Sequence, residues 1–155
     1  MADQEESLPK DAFLAAAIDE AKKGLEEGGI PIGAVLVCDG RLIGRGRNRR
    51  VQDDSVIHHA EMNCFENAGR FPANVYNRAV LYTTLSPCYM CAGAAVLLGV
   101  RKIVVGENRT IGMAEDFLRQ QGVEVEIVDD PECHRLLQSY IAAHPDVWNE
   151  DKGDH

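Results

Sequence analysis

The chain has 155 residues, 45% of them hydrophobic, enough to bury one core without disulfide staples, so a single domain over residues 1–155 is expected. Its formal charge of −9 argues against a nucleic-acid partner, which would be held by clustered Lys and Arg that release counterions, and favours a small neutral ligand. The opening MADQEESLPK is polar and acidic where a secretory signal is basic and then apolar, and no apolar run approaches the roughly 18 residues of a membrane span, so a cytoplasmic protein without membrane partners is expected.

Residues 11–27 place Ala12, Phe13, Ala16, Ala17, Ala21 and Leu25 near the helical period before the stop signal Gly28-Gly29, which predicts a first helix. Ile32 to Cys38 reads as a strand, Asp39-Gly40 as a hairpin turn and Arg41 to Gly46 as the return strand. A polar loop through Asp53, Asp54 and Ser55 leads to a helix over 58–68 ending at Gly69, then to a strand from Ala79 to Leu85. Ser86 is read as a cap and Pro87 as the first position of a small-residue helix, CYMCAGAAVLL, closed by Gly99. A strand at 102–106, a helix at 114–121, a strand at 123–128 and a helix at 131–143 follow, and the tail from His144 is polar around Trp148. Strand-helix alternation after an opening hairpin predicts a three-layer α/β/α sandwich, its central sheet mixed, largely parallel and about five-stranded.

Five cysteines, an odd number, with Cys88-x-x-Cys91 among them, suit metal binding or free thiols better than a disulfide framework. Cys38, Cys64 and Cys133 sit in apolar or helical surroundings and read as buried thiols. Cys88 and Cys91, three apart in a first helical turn, aim both sulfurs at one point, and the helix amino terminus favours their thiolates. His59 can add a neutral nitrogen from a neighbouring helix, giving three zinc ligands. His58 would point roughly 100° away around a helix and Cys64 lies off the His59 face; Cys38 and Cys133 stay open as a fourth ligand but carry no ligand-spaced partner, which favours an open catalytic site over a closed structural one. The basic run Arg45-Gly-Arg47-Asn48-Arg49-Arg50 reads either as a solvated loop face or as a phosphate-contacting patch.

Glu61 is what turns such a site into a hydrolase. Residues two apart do not share a helix face, so His59 and Glu61 can both approach the metal only if they straddle a loop-to-helix junction. H-x-E followed by P-C-x-x-C is the signature of the zinc deaminases. In that chemistry zinc lowers the pKa of its water from about 16 toward about 7, the resulting hydroxide is the nucleophile, and Glu61 is the proton shuttle.

Around these motifs stand Gly29-Ile30-Pro31-Ile32-Gly33, Gly44-Arg45-Gly46-x-Asn48, Leu81 to Cys88 (LYTTLSPC), Val105-Gly106-Glu107-Asn108, and Trp148 with Asp151. With them the chain, from residue 11 to about 151, resembles the fungal-type cytosine deaminases within the cytidine-deaminase-like zinc superfamily. The resemblance implies hydrolysis of free cytosine to uracil and ammonia in a tight homodimer, with the tail contributing to the active-site cover. It implies that Asn48 hydrogen-bonds the pyrimidine carbonyl edge, that Asp151 holds the exocyclic amine, that Ala60 and Ser86 touch substrate through their backbones, and that Trp148 covers the ring. Read alone, Asn48 is a turn residue and Asp151 a tail charge. Two positions depart from the family pattern: Asn149 and Ile111 stand where it has aromatics, so isocytosine, 5-methylcytosine, creatinine or a purine such as guanine are alternative substrates. A tRNA adenosine deaminase shares the HAE and PCxMC segments but needs a basic groove, and a zinc that only braces a scaffold would not need Glu61.

Overall fold

The computed structural model describes residues 10–152; the amino-terminal residues read for a leader signal lie outside them. Helix α1 (Lys10–Glu26) leads into β1 (Gly33–Cys38) and β2 (Arg41–Arg47), then α2 (Arg50–Asp53), α3 (Ala60–Ala68), α4 (Ala73–Arg78) and β3 (Ala79–Leu85). After them come α5 (Tyr89–Leu98), β4 (Lys102–Glu107), α6 (Glu115–Gln120), β5 (Glu124–Ile127), α7 (Pro131–Ala143) and α8 (Pro145–Asp151). The hairpin turn residues Asp39 and Gly40 both have positive φ, 52° and 79°, as a tight turn matched to strand twist requires.

The sheet order is β2-β1-β3-β4-β5, with β1 antiparallel to both β2 and β3 and the β3-β4-β5 half parallel. The sheet is mixed, as expected, but evenly divided rather than largely parallel, because β1 enters between its hairpin partner and β3. Period-two alternation sorts the core: Ala34, Leu36, Leu81, Ile103 and Val105 face one way, and Val35, Val37, Tyr82 and Val104 the other. Cys64 and Phe65 of α3, Ala92 and Ala95 of α5 and Leu118 of α6 cover the first face. Phe13, Leu14, Ala17 and Ile18 of α1 cover the second, with Cys133 and Leu136 of α7. Leu36, Leu81 and Ile103 are wholly buried, each favouring the fold by about 1.5–3 kcal/mol over exposure. Among the described residues no helix is long and apolar enough to cross a membrane.

One end of the sheet collects everything that matters for chemistry. The carboxyl ends of β3 and β4 meet there, Leu85 opposite Glu107, and the start of β1 pairs with the end of β2, Gly33 opposite Arg47. Gly46 lets α3 lie directly on β2: a Cβ at this position would run into the backbone of Asn63 and Cys64. The amino terminus of α3 is thereby set over the same end.

The basic run resolves into an internal ion-pair network. Arg45 and Arg47 each reach the buried Glu20 carboxylate at 2.9 Å, Arg47 and Arg49 hold Glu27, and Arg49 also pairs with Asp53 at 3.0 Å. Arg50 reaches across the chain to Asp151 at 3.3 Å. Burial pushes the Glu20 carboxyl up, but Arg47 and Arg45 outweigh it and hold it below its ordinary value. Each of these arginines already has a carboxylate partner, which disfavours the phosphate-patch reading.

Three helices arise where the sequence suggested loop or tail: α2, α4 and α8. The helix expected from residue 58 begins at Ala60. Ser86 does not cap α5; Cys88 does, its sulfur accepting from the Cys91 amide at 3.5 Å, so Pro87 lies before the helix rather than in its first turn.

Candidate metal centre and active site

His59 is the N-cap of α3, in extended backbone with φ −63° and ψ 161°, and Glu61 is in the first turn. The pair therefore straddles the junction that lets both side chains turn to the same place. Since the His59 ring faces the cysteines, it makes no capping bond to its own helix.

His59 Nδ1 lies 3.3 Å from Cys88 Sγ and 3.6 Å from Cys91 Sγ. Nitrogen at about 2.0 Å and sulfur at about 2.3 Å from a tetrahedral zinc ion stand roughly 3.6 Å apart, so the triad has the spacing of a zinc site. His59 Nε2 is 3.0 Å from Asp151 Oδ1, the carboxylate contact that fixes the tautomer of a metal-binding histidine. Among the described residues this is the one cluster of three such donors, and it contains no fourth protein ligand. Three ligands with a position for water or substrate is the catalytic form of a zinc site. His58 points elsewhere, bridging Asp53 at 2.9 Å and Glu66 at 3.0 Å. Cys38, Cys64 and Cys133 are buried free thiols away from the cluster, and burial pushes the thiols of Cys64 and Cys133 up.

Charge is held unevenly within the cluster. The Cys91 thiol and then His59 hydrogen-bond to Cys88 and hold it at about 4, while Cys91, donating to that thiolate and buried, is pushed up. Burial opposes a charged His59, but the Asp151 carboxylate and the Cys88 sulfur outweigh it and raise the imidazole to about 10. Glu61 is 4% exposed; burial and then the Cys88 thiolate lift its carboxyl to about 7.

The triad opens on a cavity of about 290 Å³ walled by Asn48, Glu61, Ser86, Ile111, Trp148 and Asp151. That is the low end of small-ligand pockets, sized for a single ring system. Asn48 is fully buried; its Oδ1 accepts from the Arg50 amide at 3.1 Å, which turns Nδ2 toward Asp151 Oδ1 at 3.3 Å. Asp151 Oδ1 thus serves Asn48, Arg50 and His59 together. Ala60 is buried in the wall, and the Ser86 amide donates to the Glu107 carbonyl at 3.0 Å. Trp148 and Asp151 arrive on α8, packed across the pocket rather than in a loose tail. Asn149 does not line the cavity, whereas Ile111 does.

Two contributors were not read as site residues. Arg50, singled out only as part of the basic run, braces Asp151 from far along the chain, and Met113, in no motif or period, adds an apolar wall beside Ile111.

Residues 9–107 match the family described as the cytidine and deoxycytidylate deaminase zinc-binding region. The chain is 46% identical over 142 residues to a cytosine deaminase of Candida albicans, covering 91% of this chain and 95% of that protein. It is 37% identical over 139 residues to a tRNA-specific adenosine deaminase of Bacillus subtilis, covering 83% and 86%. A solved structure from a study of A-to-I editing by tRNA:A34 deaminases superposes with a TM-score of 0.71 at 32% identity, covering 83% of this chain and all of that one.

Proposed function

Because the chain belongs to the cytidine and deoxycytidylate deaminase zinc-binding family, and is a zinc-dependent deaminase, we propose that it hydrolyses free cytosine to uracil and ammonia. The observation that carries the choice of substrate is the pairing of Asn48 and Asp151 on one wall of a small cavity. One Asn48 N–H is taken by Asp151, leaving the other to donate to a ring carbonyl. The three partners of Asp151 all fall on Oδ1, leaving Oδ2 to accept from an exocyclic amine. A ring with an amine and a carbonyl on one edge satisfies both, and a ring that lacks either leaves a buried polar group unpaired.

His59, Cys88 and Cys91 would hold the zinc ion, which when bound would lower the pKa of a water to about 7 and so provide the nucleophile for the ring carbon bearing the amine. Glu61 takes a proton as a carboxylate, returns it to the adjacent ring nitrogen, and then helps protonate the departing ammonia. A carboxyl lifted toward neutrality by burial is suited to both directions. The Ser86 amide is engaged by Glu107, so its contact with the base falls to its carbonyl, and Ala60 offers its first-turn N–H. Trp148 and Ile111 cover the ring and keep bulk water out.

Ammonia release by the zinc-loaded chain decides among cytosine, 5-methylcytosine, isocytosine, creatinine, adenine, guanine, cytidine and a tRNA transcript. Cytosine turns over fastest, and removing the metal with a chelator abolishes the reaction until zinc is restored. Faster release from the tRNA transcript would replace the free-base reading with that of the Bacillus subtilis relative.

The reading extends to a homodimer. One side of α5 packs Ala92 and Ala95 into the core while Leu97 is 84% exposed, beside an apolar groove that includes Met62, Phe65 and Phe71. A second copy related by a two-fold axis covers such a face with the same face. Sedimentation at micromolar concentration gives twice the 17.0 kDa chain mass, and a monomer at every concentration overturns the dimer.

A further inference from the structure

Between β4 and α6 the chain crosses the pocket mouth as a lid loop, residues 108–114, which brings Ile111 and Met113 to the cavity wall. Two carboxylates outside the cavity brace it. Glu107, wholly buried, accepts from the Thr110 amide at 3.0 Å and from its hydroxyl at 2.6 Å, and Gln138 of α7 donates to the same hydroxyl oxygen at 3.0 Å. This brace ties the outer side of the loop to α7. Glu115, the first residue of α6, makes the other: Oε2 accepts from the Ser86 hydroxyl at 2.6 Å, and Oε1 from the Asn108 side-chain amide at 3.2 Å. Gly112 folds over this carboxylate so closely that a Cβ there would lie 3.2 Å from Oε2.

We infer that Glu115 is a positioning residue that locks the root of the lid loop to the cavity wall at Ser86, and so sets how tightly the base is held. Resting on the free-base reading above, the inference gives that site a control the pocket residues do not contain. Ser86 lies two residues before the ligand Cys88, so its hydroxyl is a point where lid and metal-bearing segment meet. Ser86 and Asn108 both donate to Glu115, with Arg119 of α6 a more distant ion-pair partner of Oε1 at 3.9 Å, and only a group with two acceptor oxygens at this length satisfies both donors without rearrangement. Glutamine keeps one acceptor for Ser86 and can face Asn108 once that amide turns over. Aspartate, one methylene shorter, cannot span the two.

The test uses the zinc-loaded full chain as Glu115→Ala, Glu115→Gln, Ser86→Ala and the Ser86→Ala/Glu115→Ala double variant, with cytosine kinetics, zinc content and amide hydrogen exchange across residues 108–114. Losing a charge-assisted hydrogen bond that orders the lid raises KM about tenfold while kcat is not lowered. Glu115→Gln recovers most of that loss, and the double variant is no worse than the worse single variant. Exchange at Thr110 and Ile111 quickens in Glu115→Ala with the zinc content unchanged. Ser86→Ala removes one arm only, so it tests the bracket if Glu115→Ala fails to fold. A wild-type KM with wild-type exchange in Glu115→Ala overturns the inference. So does a fall in kcat and zinc content at unchanged KM, or a glutamine variant as impaired as alanine. If the unaltered protein ignores cytosine, the free-base reading fails separately, and loop exchange still decides whether Glu115 holds the lid.

Discussion

Glu61→Gln yields a protein that folds, retains its zinc and releases ammonia from cytosine at least about a hundredfold more slowly, the range expected when a positioned proton carrier is removed. The amide has nearly the same shape as the carboxylic acid it replaces, so packing in the first turn of α3 is retained. What it loses is the ability to accept and return a proton. Glu61 is not a member of the metal triad, so zinc content should match the unaltered chain. Turnover within a few-fold of wild type would remove Glu61 from the mechanism, and loss of zinc together with activity would make it a support for the triad instead.

Asp151→Asn has the next largest effect, because one oxygen serves both halves of the site. With Oδ1 engaged by His59, Asn48 and Arg50, an amide that offers one oxygen and one NH2 sets a donor against a donor somewhere in the cluster. Loss of the histidine's carboxylate partner lowers zinc affinity by about 10–100-fold, read by competition with a chromophoric chelator. Loss of the amine acceptor lowers kcat/KM for cytosine, at saturating zinc, by a further factor of about ten to a hundred. Weakened zinc with normal kcat/KM at saturating metal would confine Asp151 to the histidine. The reverse pattern would confine it to the substrate.

The metal ligands and the hairpin were legible in the sequence because local chemistry specifies them. Asp39-Gly40 demands positive φ, and Cys88 and Cys91 are fixed by one turn of helix. The capping assignment slipped by two residues because the Cys88 sulfur accepts the Cys91 amide in the first turn of α5, while the Ser86 hydroxyl is turned to Glu115. Six residues are too few to display a helical period, so α4 was hidden; it is held by Tyr76, buried beside Phe65 with its hydroxyl on the Gly69 carbonyl at 2.6 Å. The last helix did carry a signal, Pro145 at its first position, which a tail reading passed over. Arg50 and Glu115 could not have been found this way, since their partners are distant in sequence and their meeting depends on the assembled sheet end.

The order in which the chain leaves the ribosome gives the late placement of α8 a consequence of its own. His59, Cys88 and Cys91 all emerge before Trp148 and Asp151, so a nascent protein owns its metal-binding residues while the wall that aligns the histidine and closes the cavity is still unmade. The metal donors and the wall that completes the site are therefore supplied at separate stages of synthesis. A product interrupted ahead of Pro145 carries the three metal donors without the carboxylate that orients His59.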